Sequence, residues 1–320
     1  LSSGTKVIAN NATDNARIVD GTSTAGNITL AAATTNINTL NQTATGGATT
    51  MQLSGTNNTL RLGTAGGILA GPGVSALTIG SAVNEGFLSA GGSTTNTAGT
   101  LYLTNNSSNT LTINSALINN GTGAVTLVKN GSGLVTLAGN SGATYSGGTF
   151  VNQGELRVNA PTTVATYTTL GTGAISVGTG ATLRFFTGST TNAITYANAI
   201  NLTNATLAHE DGNHTLSGAV SLTGTNTVTG VWGDKNLTMS GVISGTGSLI
   251  KTNTAGQATT LTLSNINTYT GGTTVNAGTL RLNNGGANGT IRGTLTVNAG
   301  ASVTYGANNS FGYNSGGSVN

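Results

Sequence analysis

The 320-residue chain has no cysteine, so it can build neither a disulfide framework nor a thiolate metal site. A chain that must stay unfolded during export also gains by having no thiols to cross-link. Proline occurs twice, aromatic residues make up 4% and charged residues 5%. So little aromatic mass argues against the two bulky-cored globular domains that this length would otherwise suggest. The basic residues Lys6, Arg17, Arg61, Lys129, Arg157, Arg184, Lys235, Lys251, Arg281 and Arg292 stand singly, and the formal net charge is only +3. With no basic run to neutralise a phosphate backbone, no nucleic-acid partner is expected. No apolar stretch approaches the ~18 residues a spanning helix needs, so this segment is not expected to span a membrane. The chain opens on Leu1 and not on Met, and is expected to be a processed or excised piece.

What is present is glycine, 51 residues of it, in a background of Thr, Asn, Ser, Ala, Leu and Val. Polar, Gly-rich chains often fail to bury enough apolar surface to fold. Disordered chains, however, are usually rich in charge and proline and poor in β-branched residues. The opposite mixture here suits strands.

Residues 144–158 read TYSGGTFVNQGELRV, and residues 268–282 read TYTGGTTVNAGTLRL, 124 positions later. Laid over each other, Val151 meets Val275, Leu156 meets Leu280 and Val158 meets Leu282. The residues between them vary more, as Phe150 against Thr274 and Glu155 against Thr279, while Arg157 and Arg281 agree. A fixed apolar position alternating with a tolerant one is the mark of a strand with one buried face. Val151, Leu156, Val158, Val275, Leu280 and Leu282 are therefore expected inside, and Phe150, Glu155, Arg157, Thr274, Thr279 and Arg281 outside. Each phrase forms two short strands around an Asn-x-Gly corner, where Gly154 and Gly278 supply the left-handed backbone that other residues resist.

The same corner returns at Gly180, 26 residues after Gly154, and at Gly300, 22 after Gly278. Upstream, Gly121–Lys129 matches Gly245–Lys251, again offset by 124 at the glycines. A short unit of 22 to 26 residues thus lies within a longer one, and periods of this size indicate stacked coils. Apolar pairs such as Leu101/Leu103, Leu111/Ile113 and Val125/Leu127 recur about every ten residues, which also fits the hairpins of a β-sandwich. The coil is preferred because each unit reads as a corner with two legs, and because few side chains could fill the ~10 Å between facing sheets. Stacked coils lie ~4.8 Å apart and need only a narrow interior. The expected fold is all-β, a right-handed parallel β-helix (β-solenoid) of about 12 to 15 coils. It would run as a single continuous solenoid over 1–320, with divergent coils in 1–115 and the two long-repeat copies in 116–320.

The segments Gly131–Val158 and Thr260–Leu282 resemble the autotransporter-associated β-strand repeat. The resemblance implies the passenger region of a large exported protein of Gram-negative-type bacteria, folded as a right-handed parallel β-helix at the cell surface. No membrane-barrel pattern closes the sequence, so a translocator would lie elsewhere.

Chemistry-bearing residues are few. The densest cluster is His209-Glu210-Asp211-Gly212-Asn213-His214, which holds both histidines of the chain. Its spacing is not HExxH, and Gly and Asn stand where a helix would be needed. It reads as an exposed polar corner, with His209, Glu210, Asp211 and His214 as a weak candidate loop for a divalent ion. A pectin-cleaving β-helix would gather acids and Ca²⁺ in one groove. Here Asp14, Asp20, Glu85, Glu155 and Asp234 are dispersed along the chain. Calcium-binding nonapeptides would need Asp after the glycine pairs, where Thr149 and Thr273 stand instead. Tyr145 and Tyr269 precede those pairs and are expected to cover the apolar edge of their corner. One of Phe185 and Phe186 must face outward on a strand, and Trp232 stands alone.

No catalytic residue, cofactor or metal is therefore expected. The function expected first is an extracellular structural or adhesive rod on a bacterial surface, and a self-assembling filament subunit second. A polysaccharide-processing enzyme is the third reading. The expected partners are further repeats of the same chain or identical subunits end to end, with host or surface glycans beside them. The ends Leu1–Gly4 and Asn314–Asn320 show no amphipathic cap, so another coil is expected to follow.

Overall fold

The computed structural model describes residues 7–19, 28–53, 57–138, 142–160, 168–188, 193–232, 235–284, 289–308 and 310–311. Contacts divide the chain into two compact units, Leu1–Asn159 with Thr168–Gly173, and Ala160–Tyr167 with Ala174–Asn320. Both are parallel β-solenoids, with about 11 turns in all. Lys6, Asp20, Asp234 and the two terminal segments considered for capping lie outside the described residues.

In the first unit the strands fall on three faces. One carries Thr34–Asn36, Thr59–Leu62, Phe87–Ala90 and Ala116–Leu117. The second carries Asn15–Ile18, Thr39–Gln42, Ala65–Ala70, Gly99–Asn105, Val125–Asn130 and Thr149–Val151. The third carries Thr49–Met51, Leu77–Ile79, Leu111–Ile113, Leu134–Leu137 and Glu155–Asn159. The chain visits the faces in rotation, so each strand pairs in parallel with its counterpart one turn earlier. The second unit follows the same plan, for example through Ile200–Thr203, Thr206–Glu210 and Asn213–Leu216, then Val220–Thr223, Thr225–Trp232 and Asn236–Met239.

Period-2 alternation builds the interior. Leu111, Val135 and Leu156 stack in register on one face of the first unit, as do Ile113, Leu137 and Val158 two residues on. In the second unit Leu237, Leu261 and Leu280 stack likewise, beside Met239, Leu263 and Leu282. Val151, Leu156, Val158, Val275, Leu280 and Leu282 are all fully buried. Each such side chain contributes about 1.5 to 3 kcal/mol relative to exposure. Phe150 is 42% exposed and Arg281 is exposed, while Glu155, Arg157, Thr274 and Thr279 are half-buried. Gly154, Gly180, Gly278 and Gly300 have φ of 62°, 73°, 72° and 82°, the left-handed values their corners need.

Two expectations change. Each turn has three legs and not two. In the phrase copies the third leg forms no strand, but its backbone still follows the previous turn: Thr144 N–H donates to Leu117 O at 2.9 Å, and Thr268 N–H to Ile243 O at 2.8 Å. The turns also vary in length, which gives about 11 of them where 12 to 15 were expected. Thr149 lies on Leu127, 22 residues back, whereas Thr100 lies on Ala65, 35 back. The period read from the two phrases is short because the loops of earlier turns, such as those between Ile79 and Phe87 and between Ala90 and Gly99, are absent from them. Among the described residues, no helix is long and apolar enough to cross a membrane.

Candidate functional site

Most of the groups with unusual electrostatics lie inside the coils; the exceptions are half-buried Arg61, lowered by burial, and Asp211 at a corner. In Val125–Asn130 the burial alternates so that Val125, Leu127 and Lys129 all point inward. Lys129 is fully buried and pairs in register with Val151 of the next turn. Its Nζ donates to the carbonyls of Asn130 at 3.0 Å, Gly131 at 2.7 Å and Gln153 at 2.9 Å. Three donors thus meet three backbone acceptors, the condition under which an ammonium can be buried. Burial pushes the lysine down from its ordinary 10.5 to about 8, with Glu155 acting against that.

Lys251 repeats the arrangement in the second copy. It is fully buried in register with Val275, and its Nζ donates to Thr252 O at 2.8 Å, Thr259 Oγ1 at 3.2 Å, Ala277 O at 3.4 Å and Asn253 Oδ1. Burial holds it near 8 as well. Gln153 and Ala277 occupy the same place in the two Asn-x-Gly corners, so each lysine ties such a corner to the turn before it. Asparagine side chains add a second tie on the outside. Asn152 Nδ2 donates to Asn130 Oδ1 at 3.0 Å, and Asn298 Nδ2 to Asn276 Oδ1 at 2.7 Å.

The histidine cluster is not the exposed corner expected. Only Asp211 and Gly212 form the corner, with φ of 47° and 61°. His209 and His214 lie on the inward side of the flanking strands and are 0% and 1% exposed. His209 stacks in register between Phe185 and Gly230, and His214 between Ile194 and Leu237. The physical reason is the alternation, which puts His209 on the same side as Leu207 and outweighs the polarity of imidazole. His214 Nε2 lies 2.9 Å from Asp211 O; since a carbonyl only accepts, Nε2 carries the proton. His214 Nδ1 and both ring nitrogens of His209 are buried without a hydrogen-bond partner. Phe185, Tyr196 and His214 pack ring against ring, with centroids 4.6 Å apart for Phe185–Tyr196 and 5.9 Å for Phe185–His214.

Burial, with the neighbouring His214 and Lys251, drives His209 down to about 3; burial alone drives His214 to about 4, against hydrogen bonds to Glu210 and Asp211 that raise it. Both are neutral imidazoles at any physiological pH. Asp211 is raised by burial and by Glu210, with Lys235 acting against them. Glu210 forms a half-buried ion pair with Arg184 at 3.2 Å. Among the described residues, no group of three or more His, Asp or Glu side chains is placed to hold a metal ion.

Tyr145 and Tyr269 are fully buried. Their hydroxyls meet Thr149 Oγ1 at 2.7 Å and Thr273 Oγ1 at 2.5 Å, which satisfies the phenol inside an apolar coil. Burial raises Tyr145 well above its usual range and Tyr269 to about 12. A ring so placed cannot stack on a sugar. Phe185 is buried and Phe186 half-buried, while Trp232 is 59% exposed. Asp14 and Glu85 lie on turns far from this cluster in the chain, in the first unit.

A family model described as passenger-associated-transport-repeat matches residues 127–158 and 257–282. The first span contains both Lys129 and its corner acceptor Gln153. The second contains Ala277 but begins six residues after Lys251. The likeness read from the two phrases therefore holds at both segments. No curated protein and no solved structure matches the chain.

Proposed function

We propose that this chain is a coil-forming segment of an autotransporter-type passenger, exported to the bacterial surface, wound right-handed, and acting by structure and adhesion without catalysis. The observation that carries the reading is where most of the perturbed groups are, Arg61 and the corner residue Asp211 excepted. Lys129, Lys251, His209, His214, Tyr145 and Tyr269 are all buried in the coil, where a macromolecular substrate has no access. A catalytic site would need such groups in a cleft. Their positions instead serve stacking, and two pairs, Lys129 with Lys251 and Tyr145 with Tyr269, recur at matching places in the two copies.

Support for end-to-end partners comes from the last described turn. Leu295–Val297 and Ala301–Tyr305 pair with the turn before them, and Val297 is 45% and Tyr305 71% exposed. A further coil of the same chain, or an identical subunit, would cover these side chains.

The test is to display the chain on Gram-negative cells through a β-barrel translocator and to measure cell adhesion beside sugar release from pectin, xylan and cellulose. Adhesion with no sugar release is the expected result. Turnover of any of the polysaccharides would overturn the non-catalytic reading. Negative-stain images at rising concentration would separate single particles from fibres.

A further inference from the structure

The second face of the first unit carries outward-facing side chains that the coil does not need. In register along the stacking direction stand Thr39, Gly67, Tyr102, Val128 and Phe150. Tyr102 is 36% and Phe150 42% exposed. The matching column in the second copy reads Thr227, Ile250 and Thr274. Threonine thus fills the equivalent column, on the neighbouring sheet, where tyrosine and phenylalanine stand here. A column of this kind stacks in register without aromatic rings, and exposing the two rings costs solvation that a ligand would recover.

Beside Tyr102 lies an open cleft of about 310 Å³. Thr39, Asn41, Leu69 and Thr104 line it, with Gly67 at its floor beside the tyrosine. Gly67 does not have a left-handed backbone. A Cβ there would come within 2.9 Å of Tyr102 O and 3.0 Å of Tyr102 Cβ, so a larger residue at 67 would have to displace the neighbouring strand, and the cleft floor stays bare. The lining combines an aromatic ring, an apolar wall, two hydroxyls and one amide, with no charged side chain. The nearest charged residue in register on this face is Arg17, one strand beyond Asn41.

This chemistry selects a neutral pyranose. The C–H face of such a ring stacks on an aromatic side chain, and its hydroxyls pair with amide and hydroxyl groups at the rim. Tyr102 and Phe150 are two strands apart, about 9.6 Å at the usual spacing. That separation is comparable to the disaccharide repeat of an extended glycan chain.

We infer that this face binds a neutral, extended oligosaccharide lying along the stacking direction, with one ring in the Gly67 cleft against Tyr102 and another over Phe150. The inference rests on the adhesive reading and names its target class.

The test uses the full chain with cellohexaose, xylohexaose and maltohexaose, followed by saturation-transfer NMR and calorimetry. At least one hexaose should bind with a millimolar or lower dissociation constant. Tyr102→Ala should weaken that binding at least about tenfold, and Tyr102→Phe should keep it within about threefold. Phe150→Thr should weaken the hexaose and leave the corresponding trisaccharide unaffected. Circular dichroism should be unchanged in all three, as threonine at the equivalent places of the second copy implies. No binding by any of the three sugars, or binding indifferent to Tyr102→Ala, would overturn the inference. If displayed cells adhere through Tyr102 and Phe150 while the sugars do not bind, the partner is an apolar protein surface. The glycan inference then falls and the adhesive reading stands. If displayed cells fail to adhere at all, it is the adhesive reading that falls, whatever the sugars do.

Discussion

Lys129 and Gln153 are 24 residues apart in the chain, yet the lysine Nζ donates to the Gln153 carbonyl at 2.9 Å inside the coil. Lys251 bears the same relation to Ala277, 26 residues on. Methionine in place of either lysine keeps the apolar stem but leaves corner acceptors unpaired. We expect Lys129→Met and Lys251→Met each to cost about 2 to 4 kcal/mol, set by the buried acceptors left without donors. Lys235→Met, at a half-buried position outside any such clip, should stay within about 0.5 kcal/mol. Urea unfolding followed by circular dichroism measures both, and equal effects at Lys129 and Lys235 would refute the clip.

The histidines make stability depend on pH. In the folded chain His209 and His214 hold pKa values of about 3 and 4, below the ordinary 6.5. Below pH 6.5 the unfolded chain therefore takes up protons that the folded chain refuses. Stability is full above pH 6.5 and falls as the pH drops toward 4, by up to about 1.4 kcal/mol per unit for each histidine. Between pH 6.5 and 5, before carboxylates titrate, the loss should reach about 2 to 4 kcal/mol. Urea midpoints should show this slope in the native chain and lose it in His209→Leu/His214→Leu. A slope that survives the double substitution would place its origin elsewhere.

The four corner glycines should separate into two classes. All have left-handed backbones, but a Cβ at Gly154 would lie 2.6 Å from Gly131 O, and one at Gly278 2.6 Å from Thr259 O. At Gly180 and Gly300 it would meet nothing within 4 Å. Alanine at Gly180 or Gly300 should cost about 1 kcal/mol for the backbone conformation alone. Alanine at Gly154 or Gly278 should cost at least about 2 to 3 kcal/mol, because the backbone of the neighbouring turn must also move. Thermal melts of the four single variants would show the split, or a uniform shift that contradicts it.

Tyr145→Phe and Tyr269→Phe remove one hydroxyl each and leave Thr149 or Thr273 Oγ1 without its phenol partner. Each should cost about 1 to 2 kcal/mol. Alanine at the same positions should cost about 3 to 5 kcal/mol through the cavity left in the coil. Denaturant midpoints give both numbers, and a harmless Tyr→Ala would mean that the coil closes over the gap.

Alternation made the inward valines and leucines of the two phrases legible, because comparing two copies shows which positions resist change. The third leg was not legible. Around Thr144 and Thr268 burial alternates over only a few residues, Ala143 and Tyr145 inward in one copy and Asn267 and Tyr269 in the other, too short a run to mark a separate leg. The buried cations went unread for a different reason: lysine is so rarely interior that its residue type outweighed its place. The signal was nevertheless present, since Lys129 follows Val125 and Leu127 at steps of two and Lys251 follows Leu249 in the same way. His209 follows Leu207 by the same step. The exposed pair Tyr102 and Phe150 needed the register between turns, which no single stretch of sequence contains.

The lysine clip also imposes an order in time. Lys129 has two of its acceptors within two residues, but the third arrives only when the chain has gone once more around the coil. A polypeptide laid down amino end first would hold that ammonium unfinished until the following turn is in place, and the same wait would recur at Lys251. Each completed corner then makes retreat of the preceding turn costlier. Laid down in that order, the clip would work as a pawl, letting the growing edge advance one coil at a time and resisting its return.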